Sequence, residues 1–318
     1  MRRGGDRVCI LLGLYNAGEA LAEQLESFAG QTHADWDLLA SDDGSTDGTV
    51  RAVEAFARRM GAEGRRVELA EGPGTGATAN FLSLLARSPE GAAWLALSDQ
   101  DDVWLPDRLS RGLAALSSVP DGLPALYCSR TWVADAALTR RRLSMRFPRP
   151  PSFRNALVQN IASGNTILLN GTAAALARDE APRAAALARP GTGLHDWWLY
   201  QIVAGAGGRI VHDSEPTLLY RQHDGNLVGS NDGNGARLAR IRMLLAGRFR
   251  DWNAANIRAL EASSARLTPE NRAILAGFSR MRESGLIGRI LGLRRLGLYR
   301  QSRAGQLALW VAAALNRV

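Results

Sequence analysis

Apolar and polar positions change period repeatedly along the amino-terminal third of the chain. Val8–Leu14 is an unbroken apolar run of strand length, closed by Asn16 and Gly18. Such a run suits a strand covered on both faces. Ala20–Ala29 then sets Leu21, Leu25 and Phe28 at helical spacing. Trp36–Ser41 predicts a second strand ending in Asp42-Asp43-Gly44-Ser45. Thr46 or Asp47 is placed to cap the next helix, whose stripe includes Val50, Val53, Phe56 and Met60. Val67–Ala70 predicts a short third strand before the glycine-rich Glu71–Thr78. Phe81–Leu85 belongs to a helix, and Trp94–Leu97 to a strand that stops at Ser98-Asp99-Gln100-Asp101-Asp102. Strands alternating with helices imply an α/β fold with a mainly parallel sheet flanked by helices. Further strands are predicted at Leu126–Ser129, Thr166–Leu169, Arg209–Val211 and Thr217–Tyr220, and a helix at Asp196–Ala204. From Gly235 strand signals cease and the chain reads as Arg-rich helix, which divides it into 1–234 and 235–318.

Composition narrows the class. With 318 residues, 46% of them hydrophobic and 22% charged, the chain can bury a sizeable core. Collagen-like, disulfide-scaffold and globally disordered classes are excluded. No apolar run reaches about 18 residues, so a transmembrane helix is not expected. MRRGGDR leads straight into the first strand with no small-residue cleavage site, so a secretory signal is not expected either. Cys9 and Cys128 stand singly in apolar runs, as reduced core residues of a cytoplasmic protein would.

Charge changes the picture through its distribution. All 39 basic residues are Arg. Residues 236–318 hold 16 of them against Asp251, Glu261, Glu270 and Glu283, whereas residues 1–235 hold 23 against 27 acids. A basic tail therefore follows a mildly acidic domain. It carries no nucleic-acid-binding motif, so no nucleic-acid partner is expected.

Two acidic clusters sit just beyond predicted strand ends, the edge at which open α/β sheets bind ligands. Asp99-Gln100-Asp101 with Asp102 puts several carboxylates in one turn, and Mg²⁺ characteristically takes one or two carboxylates plus substrate phosphates. The plain alternative is a solvated loop whose Asp residues cap the helix after Pro106.

The motifs in order, GLYNAGEALAEQLESFAGQTHADWDLLASDDGSTDGT, then Gly72–Gly76 with Asn80, then SDQDDVWLP, resemble the inverting family-2 glycosyltransferases. The later HDWWLYQIVAGAGGRIVHDSEPTLLYRQHDGN looks like that family's rhamnosyltransferase-like branch, and the resemblance spans roughly 7–231. It implies a GT-A-like (Rossmann-like) fold, with a nucleotide-sugar half over about 1–125 and an acceptor half over about 126–234. By resemblance, Asp42 accepts a hydrogen bond from a pyrimidine base, and Leu14, Tyr15 and Asn16 lie against the nucleoside. Gly76 and Asn80 belong to the glycine-rich part of the donor site. Asp43 is either part of this site or a plain turn residue. Asp99, with Gln100 beside it, contacts ribose or a metal-bound water, and Asp101 ligates a divalent cation, Mg²⁺ or Mn²⁺. His223 completes the metal site or meets the diphosphate, toward which Arg221 also contributes. Ser163-Gly164-Asn165 lets backbone approach the donor sugar.

Asp196 is the implied catalytic base. Inverting transfer needs a carboxylate that removes the acceptor hydroxyl's proton. The alternative is a helix N-cap, worth about 1 kcal/mol. A helix N-terminus lowers a carboxylate's basicity, so the base reading requires a partly apolar pocket, with Trp197 and Trp198 as core or as a sugar platform. No Q-x-x-R-W motif is present, which disfavours a processive synthase. The expected activity is addition of a single sugar, L-rhamnose from dTDP-L-rhamnose, to a glycan or lipid-linked acceptor in bacterial cell-surface polysaccharide synthesis. UDP- or GDP-sugar donors and a non-catalytic sugar-nucleotide-binding protein are the alternatives. Leu286–Leu298 with Arg289, Arg294 and Arg295, followed by apolar Leu307–Leu315, suits peripheral contact with an anionic membrane, on the inner face of the plasma membrane. A helix packed on the catalytic domain is the other reading.

Overall fold

The computed structural model describes residues 5–188, 195–222 and 248–318. β1 (Val8–Leu14), α1 (Ala20–Ala29), β2 (Trp36–Asp42), α2 (Thr49–Ala62), β3 (Val67–Glu71), α3 (Ala77–Ala86) and β4 (Trp94–Ser98) follow the alternation predicted from sequence. Next come β5 (Val103–Trp104), α4 (Arg108–Leu116), β6 (Ala125–Ala134), β7 (Arg141–Leu143) and α5 (Phe153–Ala156). A 3₁₀ turn at Gly164–Thr166 precedes β8 (Leu168–Asn170), α6 (Gly171–Leu187), α7 (His195–Gly205) and β9 (Arg209–Arg221). α8 (Arg248–Ala262), α9 (Pro269–Glu283), α10 (Leu286–Arg295) and α11 (Arg303–Ala314) close the chain.

The strands form one mixed sheet in the order β3-β2-β1-β4-β8-β6-β9-β5, with β7 beside β6. β3, β2, β1 and β4 are mutually parallel; β8 is antiparallel to both β4 and β6. Period-two alternation explains why β1 reads as continuously apolar. Val8, Ile10, Leu12 and Leu14 face one core with Leu21, Phe28, Val53 and Phe56, whereas Cys9 and Leu11 face another with Phe81, Leu85 and Leu199. Helices thus cover both faces, and both cysteines are buried and free.

Three departures from the sequence reading have local causes. Thr166 lies in the 3₁₀ turn, its hydroxyl donating to the Ser163 carbonyl, so β8 starts only at Leu168. The two short strands expected at 209–211 and 217–220 are one strand, β9, because irregularities opposite Ser129–Trp132 of β6 absorb the polar stretch His212–Pro216. α6 has no strong apolar stripe; it is Ala-rich, contains Pro182, and starts where Asn170 accepts from the Ala173 N–H.

The C-terminal helices pack on the helical layer that covers one face of the sheet. Leu260, Phe278, Leu293, Leu309 and Ala313 join the same core as α3 and α7. Among the described residues no helix is long and apolar enough to cross a membrane. The boundary expected at 234–235 lies outside the described residues.

Candidate active site

Four loops leave the sheet side by side at one edge. Leu14 pairs with Asp42, Asp42 with Glu71, and Leu12 with Ser98, so the segments after β1, β2, β3 and β4 emerge together. Backbone-to-side-chain hydrogen bonds stitch them. Asn16, held at φ 44°, donates its N–H to Ser45 Oγ, and its side-chain oxygen accepts from the Thr46 N–H. Asp47 accepts from the Thr49 and Gly18 N–H groups, so it serves the start of α2 without being its N-cap. Gln100 accepts from the Tyr15 N–H at 2.7 Å and donates to the Tyr15 carbonyl at 3.0 Å. The Tyr15 ring remains 59% exposed at this edge.

Asp42 and Asp43 divide the work of the β2 turn. One Asp42 carboxylate oxygen accepts from the Gly44 and Ser45 N–H groups, while the other, Oδ1, is buried with no partner. A buried acceptor left unpaired marks a place a ligand donor would fill. The Asn80 side-chain oxygen is likewise orphaned, although its amide donates to the Ser41 carbonyl. Asp43 instead organises the glycine-rich loop, accepting from the Gly74 N–H at 2.7 Å and the Gly76 N–H at 2.6 Å. Gly74 and Gly76 both have positive φ, and a Cβ on Gly72 would come within 2.8 Å of Asp43 Oδ1. The turn-only reading of Asp43 is therefore too weak. Asp43→Ala is expected to destabilise the fold by about 2 kcal/mol, since two bonds to a charged acceptor are lost, as a lower denaturation midpoint would report.

The acidic turn after β4 is braced from below by Asp102, Asn165, Arg221 and Arg108, a role that the sequence reading gave to none of them. Asp102 is fully buried; its carboxylate accepts from the Asn165 amide at 2.5 Å and the Arg221 N–H at 3.1 Å. Burial, then Asp99 and Asp101, pushes its carboxyl well up. Arg108 lies buried beneath, donating to the Leu97 and Asn165 carbonyls and stacking 3.5 Å from the Trp104 ring centroid. Asn165, expected at the donor sugar, thus holds Asp102. Arg221, expected near the diphosphate, directs its guanidinium to the Asp101 carbonyl at 2.9 Å, Glu23 at 2.7 Å and the Ala136 carbonyl. These contacts tie the acidic turn to α1 and β9. The only sequence signal for this brace was the third aspartate, Asp102.

Asp196 reaches the same place from the start of α7. Its carboxylate accepts from the Trp197 N–H at 2.6 Å. Burial pushes it up to about 6, against the lowering effect of the Trp197 N–H and the nearby Asn160 and Gly164 groups. Asp99 is pushed up to about 7 by burial, then by the negative charges of Asp101 and Asp196. Gly164 is needed where it stands: a Cβ there would lie 3.0 Å from His195 Nε2 and 3.4 Å from Asp196 Cβ. His195 stacks on Phe81 with centroids 4.1 Å apart, and burial pushes it down to about 3, so it is neutral. Trp197 and Trp198 are each 2% exposed, which makes them core and not a sugar platform.

A divalent cation fits this donor set. Asp99, Asp101 and Asp196 press negative charge together with only acidic side chains shifting Asp99. Carboxylate oxygen is what Mg²⁺ and Mn²⁺ prefer. Among the described residues no group of three or more His, Cys, Asp or Glu side chains is arranged to enclose a metal. His223 lies outside the described residues.

Comparison with known proteins agrees with this geometry. The family model described as "Glycosyl transferase family 2" matches residues 9–179, more than half of the chain. The dTDP-rhamnosyl transferase RfbG of Shigella flexneri is 26% identical over 242 residues, covering 73% of this chain and 78% of that protein. The UDP-Glc:alpha-D-GlcNAc-diphosphoundecaprenol beta-1,3-glucosyltransferase WfgD of Escherichia coli is 27% identical over 109 residues, 34% of this chain and 40% of that one. Residues 1–349 of S. aureus TarS, crystallised with UDP-GlcNAc, superpose with a TM-score of 0.55 at 14% identity, covering 97% of this chain and 90% of that one. The sheet and its flanking helices are thus those of GT-A glycosyltransferases, and with its strand-end loops falling inside the matched segment the chain belongs to glycosyl transferase family 2.

Proposed function

We propose that this glycosyltransferase is an inverting, metal-dependent enzyme that adds one L-rhamnose from dTDP-L-rhamnose to a glycan or lipid-linked acceptor of the cell envelope. The observation that carries the reading is that one turn, Gly164–Asn165, lies against Asp196 at the start of α7 and also holds Asp102 in the acidic turn after β4. RfbG, named as a dTDP-rhamnosyl transferase, supports the choice of donor.

In this reading Asp42 Oδ1 accepts from the imide N–H of the pyrimidine, and the exposed Tyr15 ring covers the nucleoside. The glycine-rich loop ordered by Asp43 and the orphaned Asn80 oxygen border the donor, and Gly164 leaves room for its sugar. Asp101 with Asp99, joined by His223, would hold the divalent cation. When bound, that ion neutralises charge developing on the departing diphosphate. Asp196 takes the proton of the acceptor hydroxyl as its oxygen forms the new bond to the anomeric carbon. The bond to the diphosphate oxygen breaks on the opposite face, its electron pair leaving with the nucleoside diphosphate, which inverts the configuration. Arg221 acts as a brace of the acidic turn.

A base works only when ionised. With Asp196 pushed up to about 6, the rate is expected to rise with pH through about 6 and level off above it; a pH–rate profile flat down to pH of about 4 would contradict this. Thymine and uracil present the same imide N–H, so Asp42 does not choose between dTDP and UDP. The UDP-glucose named for WfgD keeps a UDP-sugar as the second reading. Incubation with radiolabelled dTDP-rhamnose and an undecaprenyl-diphosphate-linked glycan fraction tests the proposal. Label is expected in the glycan fraction with inverted anomeric configuration; label from UDP-glucose and none from dTDP-rhamnose would replace the donor.

A further inference from the structure

The C-terminal helices carry an apolar surface that the catalytic site does not use. Leu286, Ile287 and Leu291 of α10 are 53%, 74% and 60% exposed, and Leu307, Val311 and Leu315, on or just beyond α11, are 66%, 44% and 52% exposed. These six include most of the large hydrophobic side chains that are exposed among the described residues. On α11, Leu307, Val311 and Leu315 recur every four residues and so form one stripe. The opposite faces of both helices, through Leu293, Leu309, Ala312 and Ala313, are sealed into the core. The two helices run as one unit. Arg289 of α10 donates to the Ala313 and Ala314 carbonyls at the end of α11, which brings Leu286 and Ile287 to the same end as Leu315.

Charge says what covers this face. Residues 284–318 contain Arg289, Arg294, Arg295, Arg300, Arg303 and Arg317 and no Asp or Glu. Arg294, Arg295 and Arg303 are exposed at the far end of the pair from Leu315. A second copy docking face to face would bring like charges together with no acid to answer them. An anionic bilayer answers both features, since acyl chains take the apolar stripe and lipid phosphates take the guanidinium groups. We infer that α10 and α11 lie in the plane of an anionic membrane, with Leu286, Ile287, Leu291, Leu307, Val311 and Leu315 dipping into its interface. The inference goes beyond the proposed function and rests on no assignment of the donor or the base.

The test is flotation of the full chain with vesicles of phosphatidylcholine alone or mixed with phosphatidylglycerol, at low and high salt. Binding is expected to the anionic vesicles and to weaken at least about tenfold in phosphatidylcholine or high salt. The triple variant Ile287→Ser, Leu291→Ser, Leu307→Ser should lose at least about tenfold in vesicle binding, and R294E/R295E should lose a similar amount. Both variants alter exposed positions, so an unchanged melting curve and an unchanged nucleotide-induced shift show that fold and donor site are intact. Failure of the donor reading would instead appear as a missing nucleotide shift with vesicle binding preserved. Absence of binding to anionic vesicles, or binding unaffected by the triple variant, would overturn the inference. So would a dimer in solution that the triple variant dissociates, which would assign the face to self-association.

Discussion

Asp196→Asn is expected to abolish transfer while leaving donor binding intact. The amide keeps the size of the carboxylate and can still accept from the Trp197 N–H, so α7 should start unchanged. It cannot take a proton from an attacking hydroxyl. Loss of a positioned general base costs about 10²–10⁴-fold in rate. Folding should not suffer, because burial is what pushes the native carboxyl up to about 6, and a neutral amide avoids burying that charge. Nucleotide-induced stabilisation and the rate of transfer therefore separate: the first persists, the second falls. A variant that transfers at the native rate would remove Asp196 from the mechanism and return it to a helix-start role.

Asp101→Ala should have the next largest effect, and on a different observable. Its backbone carbonyl, which receives Arg221 Nε, survives the substitution, so the turn stays braced. What disappears is a carboxylate beside Asp99. Loss of an outer-shell partner already costs about 10–100-fold in metal affinity, so loss of a ligand should exceed it. The expected result is that Mg²⁺ or Mn²⁺ no longer strengthens nucleotide binding, as calorimetric titration would read. Unchanged metal dependence in this variant would move the cation to other oxygens.

The sheet's first half was legible in the sequence because both of its faces are covered. β1 matches Val8–Leu14 and α1 matches Ala20–Ala29 residue for residue, since continuous apolar runs and helical stripes are the strongest local signals. β9 was split because its middle, His212–Pro216, is polar. Asp213 there serves Arg111 and Tyr127 and not the core. Polarity within a strand, supported by a partner far along the chain, has no local signature. The same holds for the brace under the active site. Arg108 meets Asn165, and Asn165 meets Asp102, only in the folded chain, so Asn165 was placed at the sugar from its neighbourhood with Gly164. Asp42, Asp99, Asp101 and Asp196 were legible as motif positions at strand and helix ends. That the Gly164–Asn165 turn links Asp196 to the acidic turn required the fold.

The central claim is that the edge holding Asp42, Asp99 and Asp101 binds a nucleoside diphosphate-sugar with a divalent cation. A thermal-shift panel of dTDP, UDP and GDP and their sugars, each with and without Mg²⁺ or Mn²⁺, tests it most directly. A ligand bound only by the folded state raises stability by RT ln(1 + [L]/Kd). The account predicts a cation-dependent rise in melting temperature that is largest with dTDP-rhamnose and is lost in Asp101→Ala. No shift with any nucleotide, with or without the cation, would contradict it.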